Sequence, residues 1–240
     1  MTQNPTPPPI ALTDFALLSA LTAAEREAFA QKCRVRKFAA GEHIIDGQSE
    51  SRDVYIILEG TVRIANYALS GREVTLDDVG PGGYFGEMAA IDGEPRSAAG
   101  VALDPCLIAT LAPDLFRDLI ERHPQIAVRV IEKLARIIRD CDERIMDLAT
   151  LGAYQRVYRE ILKRARPDPL RAGSWLVYPL PTQVDIAAHA STTRETVARV
   201  LSSLAQSEIV GRKGKTLYIR DRKRLESLIE RTDIGQNAAS

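Results

Sequence analysis

The chain has 240 residues, enough for two small domains, and contains no uninterrupted apolar stretch of about 18 residues that would predict a membrane span. Its formal net charge of zero divides unevenly: residues 1–150 hold 16 Lys/Arg against 23 Asp/Glu, whereas residues 151–240 hold 16 against 9. A basic C-terminal third is what a nucleic-acid partner needs, and it is equally what a solubility balance between two domains would give. Cys33, Cys106 and Cys141 form no C-x-x-C pair and no metal-ligand spacing, which predicts a reduced, cytoplasmic chain.

In chain order, residues 1–13 begin Met-Thr-Gln-Asn-Pro-Thr-Pro-Pro-Pro. They lack the charged and apolar regions of a signal peptide and are expected to be a disordered lead. Leu17, Leu18, Leu21, Ala24 and Ala28 recur at helical spacing and predict a helix over 14–31. From Arg34 to Thr110 the pattern changes. Gly41, Gly47, Gly60, Gly71, Gly80 and Gly82-Gly83 punctuate β-rich runs such as 54–58 and 62–64, which predicts the short strands of a β-barrel or roll.

Within that region, residues 85–98 read Phe-Gly-Glu-Met-Ala-Ala-Ile-Asp-Gly-Glu-Pro-Arg-Ser-Ala. Gly86 lets the backbone approach a ligand closely. The first turn of a following helix, at Glu87, Met88 and Ala89, offers N–H groups to a phosphate. Arg96 can fork onto two phosphate oxygens, and Glu87 can accept from a ribose 2′-hydroxyl. Ser97 and Ala98 complete the stretch. It resembles the phosphate-binding cassette of cyclic-nucleotide-binding domains, and the runs at 41–47 and 55–62 are similar to the roll strands of that family.

Residues 113–123 predict a short helix, and 125–151 a long one without Gly or Pro after Gln125 until Gly152. Val130, Leu134, Ile137, Cys141, Ile145 and Leu148 fall at steps of three or four, a heptad-like seam flanked by charges. That pattern suits a dimer seam, with packing on its own domain as the rival reading. Leu151-Gly152 interrupts the helix and sets a domain boundary. Ala153–Arg166 predicts a further helix ended by Pro167-Asp168-Pro169, and 175–180 a strand.

Residues 182–201 then read as helix, tight turn, helix. Thr182 is an N-cap with Asp185 in the capping-box position, Ala190-Ser191-Thr192 makes the turn, and Thr193 caps the second helix. The second helix has an apolar face at Val197, Val200, Leu201 and Leu204. Arg194, Glu195 and Arg199 point outward, and these residue types read guanine and cytosine edges in the major groove. Residues 208–220 predict a β-hairpin turning at Lys213-Gly214, with Lys213 and Lys215 placed for phosphates.

Cassette, long helix, helix-turn-helix and hairpin wing occur in the order of the cyclic-AMP receptor protein (CRP/FNR) family of bacterial transcription regulators, which the chain resembles over nearly its whole length. The resemblance implies an α+β protein with an N-terminal jelly-roll-like β-roll at 14–124, a dimerisation helix and hinge at 125–151, a winged helix-turn-helix at 152–230 and a C-terminal tail at 231–240. It implies a homodimer on double-stranded DNA with a palindromic TGTGA-type operator, RNA polymerase as a further partner, and no membrane. The Arg-Glu-Thr-Val-x-Arg run at 194–199 matches the family's recognition helix, so the base-reading role is carried to Arg194, Glu195 and Arg199. Thr182, Thr192 and Thr193 are the further candidate DNA contacts. The resemblance departs at Ser191, where the family turn usually has glycine.

The family branches without nucleotide generally lose the Glu/Arg pair that Glu87 and Arg96 retain, and the iron–sulfur branch needs a cysteine cluster this chain lacks. A cyclic nucleotide is therefore the expected effector, without metal, haem or iron–sulfur cluster. Aligning Leu134-Ala135-Arg136 with the family's helix places Cys141-Asp142 where the base is read. Asp142 could accept from adenine N6 or from guanine N1–H and N2–H₂, or it is a solvated helix charge. Cyclic AMP stands first and cyclic GMP second. Gly214-Lys215-Thr216 lacks the upstream glycine of a phosphate-binding loop, Ile209 standing there. His43, His123 and His189 are too scattered for a metal or a triad, and no enzyme reading finds a catalytic constellation. The rival functions are a constitutive DNA binder with a vestigial or differently tuned roll, and a nucleotide-binding module that regulates a protein partner.

Overall fold

The computed structural model describes residues 15–46, 49–68 and 73–230. The expected lead at 1–13, the tail at 231–240, and Gly47 and Gly71 lie outside the described residues. The chain divides into two compact units, Met1–Ile138 and Arg139–Ser240. No helix among the described residues is long and apolar enough to cross a membrane.

The first unit opens with a 3-10 turn, Ala16–Leu18, and helix α1, Ala23–Lys32. This corrects the continuous helix expected over 14–31. Thr22 accepts from the Glu25 amide while the Glu25 carboxylate accepts from the Thr22 N–H, a capping box that starts α1 nine positions later. Ala24 and Ala28, expected on the buried stripe, are exposed, and Phe29 and Ala30 take their place.

Eight antiparallel strands follow: β1 Arg34–Phe38, β2 His43–Ile45, β3 Val54–Glu59, β4 Val62–Tyr67, β5 Glu73–Val79, β6 Tyr84–Phe85, and, after helix α2 (Glu87–Asp92), β7 Ala99–Ala102 and β8 Cys106–Leu111. They form two four-stranded sheets, in the orders β1-β8-β3-β6 and β2-β7-β4-β5. Strand β3 explains why its sequence, Val-Tyr-Ile-Ile-Leu-Glu, shows no polar alternation. Tyr55 and Ile57 join the core with Phe38, Ile45, Val62, Phe85 and Ile108. Val54 and Ile56 join a separate core with Phe29, Phe116, Ile126 and Val130 from the helices. A strand covered on both faces reads as a continuous apolar run.

Helix α3, Pro113–Arg122, and helix α4, Pro124–Thr150, close the unit, and α4 continues into the second one. Burial divides the apolar positions of the expected seam. Val130 is buried and Leu134 packs against the same core, so both belong to the roll's own interior. The exposed apolar positions on α4 include Ile131, Ile138 and Ile145, each about 60% exposed, together with Val128, Met146 and Leu148. These isoleucines stand seven residues apart, a true heptad position on one face.

The second unit holds α5, Ala153–Lys163; β9, Arg166–Pro167; β10, Trp175–Val177; α6, Gln183–His189; α7, Arg194–Gln206; β11, Val210–Lys213; β12, Thr216–Ile219; and α8, Arg222–Glu230. The strands order as β11-β12-β10-β9. α5 ends at Lys163 rather than Arg166, because Arg166 and Pro167 pair with β10. The expected strand 175–180 stops at Val177 for the same kind of reason: Pro179 follows and has no N–H to donate. Lys213 pairs with Thr216, so the hairpin turns at Gly214-Lys215, one residue beyond the expected position, with Gly214 in the left-handed region at φ 58°. Val157, Ile161, Ile186, Val197, Val200, Leu204, Leu217 and Leu225 form one core.

Candidate functional site

Strand β6 pairs with β3 and delivers the chain to Gly86, the N-cap of α2. Gly86 has φ 85°, and a Cβ there would lie 2.7 Å from Arg96 Nη1 and 2.8 Å from the Asp53 carbonyl oxygen. Glycine is thus needed for its backbone conformation and for the close approach of an arginine.

That arginine is buried, with 9% of its surface exposed. Arg96 Nη1 donates to the Gly86 carbonyl at 3.0 Å and Nη2 to the Asp53 carbonyl at 2.8 Å. Its guanidinium lies over the Tyr55 ring at 5.7 Å, and Tyr55 stacks on Phe85 with ring centroids 5.1 Å apart. Burial pulls its pKa down, opposed by Tyr55, Asp53 and Glu87. Arg96 Nε is buried with no hydrogen-bond partner. An orphaned cationic donor is costly to bury, and an anionic oxygen is the group that satisfies it. The residues present therefore fit a phosphate. Because α2 has only six residues, this fit rests on the guanidinium rather than on a helix dipole.

Glu87 is buried at 3% exposure and pairs with Lys133 on α4, Nζ to Oε1 at 2.8 Å. Lys133 Nζ also donates to the Tyr84 carbonyl and lies 3.9 Å from the centroid of the Tyr84 ring. Burial pushes the Tyr84 phenol up in pKa, with Glu87 adding to the shift. Lys133 was not among the sequence candidates. It lies 46 residues from Glu87, and its only local signature is a charge on an amphipathic helix.

Lys133→Met leaves a buried carboxylate without its counter-charge. It is expected to lower stability by about 2 kcal/mol, below the usual cost for a broken buried pair because Lys133 keeps some solvent contact. Denaturant unfolding of the full chain checks this, and Glu87→Gln in the same chain should recover most of the loss.

The other cassette candidates divide by exposure. Ala89 is buried and Ala98 half-buried. Met88 is 42% exposed, and Ser97 is exposed with its hydroxyl 3.8 Å from Met88 Sδ. Gly86, Glu87, Met88, Ala89, Arg96, Ser97 and Ala98 all belong to the first unit. Cys141 and Asp142 belong to the second, both exposed on α4. Among the described residues no group of three His, Cys, Asp or Glu side chains could hold a metal ion.

In the second unit Thr182 and Asp185 make the reciprocal capping box, with the Asp185 amide donating to Thr182 Oγ1 at 3.2 Å and the Thr182 N–H to Asp185 Oδ2 at 3.2 Å. Thr193 accepts from the Thr196 amide at 3.2 Å and starts α7. Thr192 is half-buried in the turn between the helices, and its amide donates to the Ala187 carbonyl at 3.0 Å. Val197, Val200 and Leu204 turn inward, so Arg194, Glu195 and Arg199 are left exposed on α7. Lys213 and Lys215 are exposed around the hairpin turn. This is a helix-turn-helix followed by a basic two-stranded wing, an arrangement that lays its second helix in a major groove.

Residues 35–123 match the cyclic nucleotide-binding domain family, and residues 155–228 match the Crp-like helix-turn-helix domain family. The cyclic AMP receptor protein of Thermus thermophilus is 33% identical over 193 residues, spanning 80% of this chain and 87% of that protein. The crystal structure of the Thermus thermophilus catabolite activator protein is 30% identical, covers 89% of this chain and 98% of its own, and superposes with a TM-score of 0.51. The c-di-GMP responsive global regulator CLP of Xanthomonas campestris, 20% identical, shares the fold with a TM-score of 0.68 over 82% of this chain and 99% of that one. With a nucleotide-binding roll, a helix-turn-helix and a 33% identical receptor protein in agreement, the chain belongs to the cyclic-AMP receptor protein (CRP/FNR) family of DNA-binding transcription regulators.

Proposed function

We propose that this chain is a homodimeric regulator gated by a 3′,5′-cyclic nucleotide, with cyclic AMP the first effector and cyclic GMP the second. The observation that carries the reading is the buried, unpartnered Nε of Arg96 beside Gly86 and Glu87. In this reading residues 14–124 form the nucleotide-binding roll, 125–151 the dimerisation helix and hinge, and 152–230 the DNA-binding unit. Arg96 holds the phosphate, assisted by Ser97. Gly86, Met88, Ala89 and Ala98 shape the pocket. Glu87 keeps Lys133 on one carboxylate oxygen and offers the other to the ribose 2′-hydroxyl. Asp142, next to Cys141, accepts from the base.

The heptad isoleucines of α4 support the dimer, since their exposed face is the kind that a second copy covers. Two copies present two α7 helices to half-sites about 34 Å apart on a palindromic duplex. Arg194, Glu195 and Arg199 read bases. Thr182, Thr192, Thr193, Lys213 and Lys215 meet the sugar-phosphate backbone. The effector shifts DNA binding only by its differential affinity for two states of the dimer. The reading places the protein in the cytoplasm with RNA polymerase as a further partner.

A second reading, a constitutive regulator or one tuned to another signal, is favoured by the Lys133 ammonium already seated on Glu87. It is also supported by the fold shared with CLP, a c-di-GMP responsive protein. Calorimetric titration of the full chain with cyclic AMP and cyclic GMP side by side decides between them. Saturable binding of either nucleotide is the expected result. Heat from neither moves the second reading to first place.

A further inference from the structure

The turn joining α6 to α7 carries a serine where its backbone is left-handed. Ser191 has φ 50°, a region that L side chains enter at a cost because Cβ crowds the following carbonyl oxygen. Two guanidinium groups converge on this turn. Arg144, near the C-terminal end of α4, donates from Nη2 to Ser191 Oγ at 2.8 Å and to the Ala188 carbonyl at 3.4 Å. Arg156 on α5 donates from Nε to the Ala190 carbonyl at 2.9 Å, from Nη2 to the Ser191 carbonyl at 3.2 Å and from Nη1 to the Leu151 carbonyl at 2.8 Å.

These two arginines differ in what they require of the sequence. Arg156 grips backbone oxygens that any residue at position 191 would supply. Arg144 reaches a side-chain acceptor that glycine lacks. Its own position is set by two further ties between α4 and α5: Lys163 Nζ donates to Glu143 Oε2 at 2.6 Å, and Arg159 pairs with Asp147.

We infer that Arg144 is a positioning residue for DNA recognition. Its hydrogen bond to the Ser191 hydroxyl holds the left-handed turn from which α7 starts, and so couples the presentation of Arg194 and Glu195 to the C-terminal turns of α4. Side-chain tethering here replaces the conformational freedom of glycine. Every group in this coupling lies in the second unit.

The test uses the full-length protein and a duplex selected by the native chain from a random pool. Arg144→Met is expected to weaken binding to that duplex about tenfold, the scale of a lost charge-assisted hydrogen bond. It should also speed hydrogen exchange at the Thr192 amide. In a Ser191→Gly background the same substitution should cost less than about threefold, since glycine holds the left-handed region unaided. A loss above threefold in the glycine background, or unchanged affinity in the serine background, overturns the inference. Ser191→Ala removes only the acceptor and guards against an Arg144 variant that fails to fold. It must reproduce the tenfold loss, and native-like binding by Ser191→Ala would overturn the inference as well.

Discussion

Arg96→Gln is expected to weaken cyclic-nucleotide binding by at least about 100-fold, or roughly 2.7 kcal/mol. The guanidinium bridges the Gly86 and Asp53 carbonyls, and its Nε has no hydrogen-bond partner, the group assigned to the phosphate in the proposed function. Glutamine is shorter, carries no charge and cannot serve both carbonyls and a phosphate. Two separable effects follow. Loss of the carbonyl hydrogen bonds costs folding stability on the order of 1–3 kcal/mol, which denaturant unfolding reads without ligand. Loss of the charge removes the anion's partner, which calorimetry reads on the folded variant. Binding within about threefold of the native chain, with folding intact, would sink the assignment of Arg96 as the phosphate anchor.

Ile138→Glu should convert the proposed dimer to monomer at micromolar concentration, as read by sedimentation velocity. Ile131, Ile138 and Ile145 each leave about 60% of their surface exposed on the lone chain. Covering such a side chain contributes about 1.5–3 kcal/mol, and a two-fold seam covers each one twice. A glutamate at the middle position removes that contribution and sets two carboxylates against each other across the axis. DNA affinity should then fall about 100-fold or more, because one α7 on one half-site retains only part of the contact energy. Ile138→Leu should stay dimeric. A variant that remains a dimer with glutamate at position 138 would place the interface elsewhere.

What could be read before the fold was known follows the range of the interactions. The cassette is legible because Gly86, Glu87 and Arg96 lie within eleven residues of one another in a single recognisable run. The helix-turn-helix was legible through Thr182 and Thr193, whose caps are local hydrogen bonds. Other features were settled by tertiary packing. Lys133 meets Glu87, and Arg144 meets Ser191, across 46 and 47 residues respectively, and nothing in the intervening pattern predicts either contact. Of the heptad-like positions on α4, Val130 and Leu134 satisfy the same apolar periodicity as the exposed Ile145 and Leu148, and only the roll's own core tells them apart. The apolar spacing of Leu17, Leu18 and Leu21 extends the expected helix back to residue 14, whereas the local Thr22–Glu25 capping box starts α1 at Ala23.

The three cysteines carry a practical consequence. Cys33 and Cys106 are buried, and burial pushes the Cys33 thiol up to about 12 and raises that of Cys106 as well. Cys141 alone is exposed, on α4 between Ile138 and Ile145. Thiolate is the reactive form of cysteine, so maleimide chemistry on the folded, unaltered chain is directed to one position. A fluorophore placed there sits on the same helix as the three exposed isoleucines and would report on the proposed dimer. The natural sequence thus already carries a single-site attachment point for spectroscopy that tests that proposal, with no engineered cysteine required.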